Sequence, residues 1–148
     1  MPVAHINLLE GHSRAELRQV IVEVSEAMSN ILQAPKDLLI VWISEHKPHL
    51  WGLGGVPADE ALANGSLAEL ELPFVQMALM DGRPREQAHA LIETVSEILA
   101  RVLDCDKQKI RIHIAPADPD RWGIGGVPAS ALRAAEIAAR AEAGKGAA

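Results

Sequence analysis

Three residues of this 148-residue chain are suited to proton transfer on an anionic substrate. If Met1 is removed, Pro2 becomes a secondary amine. Burial and neighbouring cations would lower its pKa from the ~8 of an ordinary α-amino group and leave a neutral base. Arg83 follows a turn and Arg111 falls inside an apolar stretch, where a cation requires a partner. Proline also suits the first residue of a strand, and Arg111 alone could form an ordinary surface ion pair, so both interpretations stay open.

An internal repeat shows which elements must position these residues. Residues 51–58 read WGLGGVPA and residues 122–129 read WGIGGVPA, an offset of 71 residues. The same offset places Pro2 on Pro73, and it holds through helix, strand and turn without a gap. The chain is therefore predicted to contain two similar halves related by pseudo-twofold symmetry.

The two halves have diverged at the positions that carry positive charge. By the offset, Arg83 corresponds to His12 and Arg111 corresponds to Ile40. The second half therefore keeps a pair of cations that the first half has lost. Since a neutral amine is available only at the start of the first half, a single site would need residues from both halves.

Each half has the pattern of a strand, a helix and a second strand. Apolar runs at residues 2–9 and 73–80 end at turns, and amphipathic helices follow, the first with a capping box formed by Ser13 and Glu16. We expect an α/β (α+β) fold in which two tandem β-α-β units form one four-stranded sheet with two helices on one face. The second strands are predicted at Leu38–Ser44 and Lys109–Ala115.

The repeat also divides the chain into segments. Residues 1–148 are expected to form one domain, because the length and composition fit a single hydrophobic core. The uncovered second face of the sheet, expected to be apolar, predicts association with further copies. The segments are a first β-α-β unit at 2–56, a linker at 57–72, a second unit at 73–128, and a C-terminal helix and tail at 129–148.

Composition narrows the classes of partner and the compartment. The net charge of −6 argues against nucleic acid or an anionic membrane as a partner, and no apolar run is long enough to span a membrane. Cys105 is the single cysteine, which fits a reducing cytoplasm. His46 and His49 lack further ligands at a suitable spacing, so no metal site is expected.

The segments PVAHINLLEGHS, VSEAMSNILQAP and WGLGG resemble the tautomerase superfamily, and in particular the 4-oxalocrotonate tautomerases (4-OT). Members of that family are short β-α-β subunits whose amino-terminal proline is the catalytic base. The similarity covers residues 2–56 and again residues 73–127. It therefore implies a fused, double-length member that uses no cofactor and assembles as a homotrimer.

The resemblance also implies roles for individual residues. Pro2 matches the family's base, and Arg83 and Arg111 match its two arginines. In a trimer, Arg111 would reach the site of a neighbouring chain, whereas Arg83 and Trp122 would share a chain with Pro2. The implied catalytic residues are Pro2, Arg83 and Arg111, and the implied substrate-binding residues are Trp122, Trp51 and Arg85.

The implied activity is conversion of enol acids, of the 2-hydroxydienoate or phenylenolpyruvate type, into keto acids. One alternative is decarboxylation of malonate semialdehyde, suggested by the run Arg83-Pro84-Arg85, although Leu38 stands where that group has an aspartate. A second is dehalogenation of 3-haloacrylates, for which Met80 replaces a required arginine. A third is a non-catalytic trimer with the same fold.

Overall fold

The computed structural model describes residues 2–146 as two halves that share one sheet. Met1, whose removal would free the nitrogen of Pro2, and Ala147 and Ala148 of the expected tail lie outside the described residues. The first half contains β1 (Val3–Leu9), α1 (Arg14–Leu32), β2 (Ile40–His46), β3 (Gly52–Leu53), β4 (Val56–Pro57), α2 (Ala58–Ala61) and α3 (Leu67–Leu70). The second half contains β5 (Phe74–Met80), α4 (Arg85–Val102), β6 (Arg111–Ala117), β7 (Gly123–Ile124), β8 (Val127–Pro128), α5 (Ala129–Leu132) and α6 (Ala134–Gly146).

The central sheet has the strand order β2-β1-β5-β6. Within each half the two long strands run parallel, whereas β1 and β5 pair antiparallel, with Val3 opposite Ala78 and Asn7 opposite Phe74. The predicted fold is therefore confirmed: two β-α-β units join into one four-stranded sheet. Because the central pair is antiparallel, the first residue of β1 lies beside the end of β5.

The core lies between the sheet and the two long helices, α1 and α4, which pack side by side. Both helices have the predicted amphipathic period, so each buries one face. No helix in residues 2–146 is long and apolar enough to cross a membrane. The buried core side chains include Ala4, Ile6, Leu8, Val20, Val24, Met28, Val75, Met77, Leu79, Leu91, Val95 and Leu99.

The opposite face of the sheet carries both apolar and polar side chains, although the sequence predicted an apolar face. Ile40 and Trp42 are 52% and 41% exposed. His5 stacks on Trp42 with ring centroids 4.8 Å apart, and its Nε2 lies 2.7 Å from Ser44 Oγ. Gln76 continues this polar row on the neighbouring strand. A mixed face of this kind suits an interface that combines apolar contact with hydrogen bonds.

The start of α1 confirms the predicted capping box. Ser13 Oγ accepts a hydrogen bond from the backbone N–H of Glu16 at 3.1 Å, and the N–H of Ser13 donates to Glu16 Oε1 at 3.1 Å. In the second half, Pro84 immediately precedes α4. The two helices therefore begin at equivalent places by different means, since the proline has no N–H that needs an acceptor.

Both second strands begin two residues later than the sequence predicted. Residues Lys36–Leu38 and Lys107–Lys109 form short 3-10 turns that delay the strands. Arg111 is therefore the first residue of β6 rather than an interior one; it is exposed, and its N–H donates to Pro73 O at 2.9 Å. The sequence led us to expect a partner for this arginine, and its Nη1 donates to the neighbouring backbone oxygens of Gln108 and Ile110.

The segments outside the strands and long helices also differ from expectation. The linker at residues 57–72 contains the short helices α2 and α3. The C-terminal segment was predicted as one helix, but the backbone leaves helical geometry at Arg133, where φ is −129° and ψ is 27°. It forms α5 and α6, and this break lets α6 turn back over the site described next.

Candidate active site

A cavity of about 210 Å³ opens beside Pro2, the residue expected to be the base. Pro2 is buried at the start of β1, and its carbonyl accepts a hydrogen bond from the N–H of Ile40 at 3.3 Å. The volume equals that of about seven water molecules at ~30 Å³ each, so a small organic acid fits. The remaining wall comes from Gln33, Ala34, Pro35 and Leu38 after α1 and from Arg83, Arg133 and Arg140.

Arg83 reaches this cavity because of the turn after β5. Gly82 has a φ of +91°, a conformation open to glycine, and its N–H donates to Asp81 Oδ1 at 2.9 Å. The guanidinium of Arg83 then donates from Nη1 to Leu32 O at 3.0 Å and to Gln87 Oε1 at 3.2 Å. The contact with the last turn of α1 is favourable for a cation. The structure thus brings Pro2 and Arg83 of one chain together.

Arg133 and Arg140 also line the cavity, and sequence reasoning missed them. Arg133 lies at the break before α6, and Arg140 lies two helical turns further on. Their spacing of seven residues could have shown that they face the same side. The repeat could not, because α6 falls in the segment that follows the second repeat.

Arg111 lies away from Pro2 of its own chain. It is level with Phe74 at the start of β5, whereas Pro2 lies next to the end of that strand. Five residues of strand separate those levels, roughly 17 Å at ~3.4 Å per residue. Its Nη1 donates to Gln108 O at 2.6 Å. The catalytic role of Arg111 therefore stays a prediction that requires a second chain.

The three expected substrate-binding residues also lie outside the cavity lining. Trp51 packs against His46 with ring centroids 5.5 Å apart, and Trp122 O accepts a hydrogen bond from Ala129 N at 2.7 Å. The side chain of Arg85 is 84% exposed and lies against Glu86. Within a single chain, these residues have no contact that assigns them to the site, and their roles stay predictions.

The position equivalent to the cavity in the other repeat is filled by a carboxylate of the linker. Glu71, 1% exposed, accepts a hydrogen bond at Oε2 from the backbone N–H of Leu9 at 2.7 Å. Its two oxygens lie 2.8 and 2.9 Å from His12 Nε2. Pro73, the counterpart of Pro2, has its nitrogen in a peptide bond. This second position therefore has no free proline nitrogen, and the Glu71 carboxylate occupies it.

The ionisation of His12 is coupled to that carboxylate. The hydrogen bond that the ring of His12 donates to the Glu71 carboxylate raises the pKa of His12 above its usual value, and burial opposes this rise. The charges of Glu71 and Glu16 add to the increase. His12 thus holds a proton more readily than a free histidine, and the protonated pair is favoured in the folded chain.

A family model described as tautomerase enzyme matches the chain twice, at residues 2–60 and at residues 73–132. The two matches correspond to the two halves found from the 71-residue offset. They include both strands, the long helix and the glycine hairpin of each half.

Individual relatives agree with this family match. The 2-hydroxymuconate tautomerase of Pseudomonas fluorescens is 41% identical over 61 residues, which are 41% of this chain and 97% of that protein. A native fused 4-OT superimposes with a TM-score of 0.77 and 32% identity, over 88% of this chain and 98% of that one. A wild-type fused 4-OT solved as an asymmetric trimer has a TM-score of 0.77 and 29% identity over the same shares.

Proposed function

The chain belongs to the tautomerase family, and on that premise we propose that it converts enol acids into keto acids with Pro2 as the general base. The observation that carries the proposal is the cavity in which Pro2 and Arg83 meet. The repeat-related position has neither a free proline nitrogen nor an arginine. One site per chain follows.

The surroundings of Pro2 favour a neutral amine once Met1 has been removed. Pro2 is buried, and Arg83, Arg133 and Arg140 line the same cavity. Burial and positive neighbours both disfavour a protonated amine. A secondary amine that is neutral near pH 7 can accept a proton from a bound substrate.

The position occupied by Glu71 indicates how the cavity beside Pro2 would hold an anionic oxygen. There, the Glu71 carboxylate is bound by the N–H of Leu9 and by His12. The 71-residue offset carries these two groups onto Met80 and Arg83. We therefore assign the Met80 N–H and the Arg83 guanidinium to the negative oxygen of the substrate, where charge-assisted hydrogen bonds would stabilise developing charge.

The reaction is a proton shift within one molecule. The enol O–H bond breaks and its proton passes to the nitrogen of Pro2, while the electron pair forms the ketone C=O. The displaced double-bond electrons form a new C–H bond when the protonated proline returns the proton to carbon. The step balances without a co-reactant. The name of the Pseudomonas fluorescens relative makes 2-hydroxymuconate the first substrate to test.

The cavity wall supports tautomerisation over the alternative of malonate semialdehyde decarboxylation. The apolar side chain of Leu38 lines the cavity, whereas Asp37 does not. Arg85, the second arginine of the Arg-Pro-Arg run, is exposed on α4. Of the run that suggested decarboxylation, Arg83 therefore lines the cavity, whereas Arg85 does not.

The proposal is tested first by replacing the base. Ketonisation of 2-hydroxymuconate and phenylenolpyruvate would be followed by ultraviolet absorbance for the wild type and for Pro2→Ala. We expect kcat/KM to fall by ~10²–10⁴, the usual contribution of a general base. The matched control is Pro73→Ala, because its nitrogen carries no proton chemistry; we expect kcat/KM of the folded variant to stay within about threefold. Mass spectrometry would establish that Met1 is absent. An unchanged rate in Pro2→Ala would overturn the proposal.

We further propose a homotrimer in which Arg111 of one chain completes the site of its neighbour. The fused 4-OT relative is an asymmetric trimer, and here Arg111 lies far from Pro2 of the same chain. Pro2→Ala and Arg111→Ala should each be inactive, but refolding the two variants together should restore activity. A mixed trimer contains sites with an intact Pro2 and an intact Arg111. Mixtures that stay as inactive as the separate variants would contradict the shared site.

A further inference from the structure

Arg83 is held by two acceptors, and one of them is a side chain outside the cavity of Pro2. Nη1 of Arg83 donates to Leu32 O at 3.0 Å and to Gln87 Oε1 at 3.2 Å. Gln87 lines a neighbouring cavity of about 410 Å³, which Arg83 also borders. We propose that Gln87 is a positioning residue that holds the guanidinium of Arg83 at the cavity of Pro2, and that it does so as a neutral group. The inference rests on the proposed function for its reaction, but the coupling to Pro2 can be measured without turnover.

The two acceptors on Nη1 fix the direction of the guanidinium group. Leu32 is the last residue of α1 and Gln87 lies in the first turn of α4, so Arg83 is tied to both long helices. Because the guanidinium is planar and rigid, holding one of its nitrogens also directs its other donors. The direction matters for catalysis, since a misplacement of about 1 Å can lower a rate by ~100-fold.

The repeat explains why the side chain of Gln87 is available to Arg83. By the 71-residue offset, Gln87 corresponds to Glu16 and Pro84 corresponds to Ser13. In the first half, Glu16 Oε1 accepts a hydrogen bond from the Ser13 N–H at 3.1 Å, which completes the capping box of α1. Pro84 has no N–H to donate. The side chain at the same place in α4 therefore has no cap to complete, and its oxygen accepts from Arg83 instead.

The two halves also differ in the charge at this place. The first half has a carboxylate, and Glu16 Oε2 lies 4.0 Å from Nδ1 of His12. The second half has a neutral amide, which accepts a hydrogen bond without adding negative charge. A carboxylate at position 87 would weaken the positive field at Pro2 and favour the protonated amine. The amide therefore suits a site that needs a neutral base. In the described part of the chain, the charged residues that line the cavity of Pro2 are Arg83, Arg133 and Arg140.

Removal of the acceptor provides the first test. Gln87→Leu abolishes the hydrogen bond but keeps a side chain of similar size. With 2-hydroxymuconate we expect kcat to fall ~10-fold and KM to change by less than about threefold, because Arg83 acts mainly on charge that develops in the transition state. The matched control is Glu16→Leu at the equivalent place in the first half. It removes part of the capping box, so it should lower thermal stability, but it should leave kcat within about twofold.

A variant that keeps the acceptor and changes its charge separates positioning from a purely structural role. Gln87→Glu retains an oxygen that can accept from Arg83 and adds a negative charge. We expect the pKa of the Pro2 amine to rise by about half a unit. The pH profile of kcat/KM should then shift to higher pH by the same amount, since the amine acts as a base only when it is neutral. Above the shifted pKa the rate should return to within about threefold of wild type, whereas Gln87→Leu should stay low at every pH.

Titration of Pro2 without substrate separates this inference from the proposed function. Nuclear magnetic resonance of nitrogen-15-labelled proline would follow the Pro2 amine directly, because the nitrogens of the other prolines lie in peptide bonds. Mass spectrometry would first establish that Met1 is absent, and its retention would overturn both proposals. A wild type that turns over neither enol acid, together with a raised pKa of Pro2 in Gln87→Glu, would defeat the proposed function alone.

Two results would overturn the role of Gln87. The first is the same kcat in folded Gln87→Leu and folded Glu16→Leu, whether lowered or not, which would show that Arg83 does not depend on this acceptor. The second is an unchanged pKa of the Pro2 amine in Gln87→Glu. Circular dichroism and thermal unfolding would verify that each variant is folded before the comparisons are made.

Discussion

The two repeat-related positions of this chain share the same backbone arrangement but differ in the side chains that occupy them. At the first, Pro2 and Arg83 face a cavity of about 210 Å³. At the second, Pro73 has no free nitrogen, and the Glu71 carboxylate lies against His12 with both oxygens within 2.9 Å. The comparison shows that one fold can leave an open cavity at this place or fill the equivalent place with a carboxylate of its own chain.

The difference comes from few residues at equivalent register. Arg83 and His12 both follow a glycine turn after the first strand of a half, and both extend toward the start of the other half's first strand. The segments that follow each repeat then determine which further side chains reach each position. The linker delivers Glu71 to one position, and the C-terminal segment delivers Arg133 and Arg140 to the other.

The largest expected difference between the two positions is in kcat when their equivalent turn residues, Arg83 and His12, are replaced. Arg83→Gln should lower kcat by ~10²–10³, because it removes a donor to the oxygen that gains negative charge. His12→Gln is the matched change at the equivalent position and should leave kcat within about threefold. Steady-state ketonisation assays on both variants check this. Similar losses in the two variants would mean that the second position also takes part in the reaction.

A smaller effect is expected on stability when the internal carboxylate is removed. Glu71→Ala leaves the N–H of Leu9 and the ring of His12 without their acceptor in a buried place, so the free energy of unfolding should fall by ~1–3 kcal/mol. Urea denaturation measures the change. Glu60→Ala, at an exposed position, should cost less than about 0.5 kcal/mol. A loss from Glu71→Ala no larger than that of the control would show that the position occupied by Glu71 adds nothing to stability.

The smallest effect concerns pH. Since the folded state raises the pKa of His12, the protonated pair with Glu71 stabilises the chain fully below the unfolded pKa of ~6.5. That contribution disappears as the pH rises through the higher folded pKa. The difference in unfolding free energy between wild type and His12→Gln should therefore be larger at pH 6 than at pH 8.5. Urea denaturation at both pH values tests this, and a difference that grows with pH would contradict it.

Local sequence patterns were sufficient to predict most of the helices and strands and the strand pairing within each half. The capping box at Ser13, the two amphipathic helices and the parallel strand pairs follow from spacing, and the structure confirms them. The predicted starts of β2 and β6 were two residues too early, because Leu38 and Lys109 belong to the 3-10 turns that precede the strands. Arg111 was consequently assigned to a strand interior that it does not occupy.

The site was predictable only within the repeated units. Pro2 and Arg83 were identified from their residue types, from the 71-residue offset and from the resemblance to the tautomerases. Glu71, Arg133 and Arg140 lie in segments where the two halves differ in length and sequence, so no equivalence pointed to them. Their roles depend on how α3 and α6 turn back over the sheet edge, which is a matter of tertiary packing rather than of local pattern.

The antiparallel pairing of β1 with β5 has a consequence for how such a chain can evolve. Because of this pairing, each of the two positions contains residues of both halves. Because the halves are joined in one chain, each half is encoded separately and can change independently. In an assembly of identical short subunits, every substitution enters all equivalent sites at once. In the linked chain, a substitution at His12 or Glu71 alters one position and spares the other. The duplication therefore allows the position that holds His12 and Glu71 to diverge while the position that holds Pro2 and Arg83 is kept.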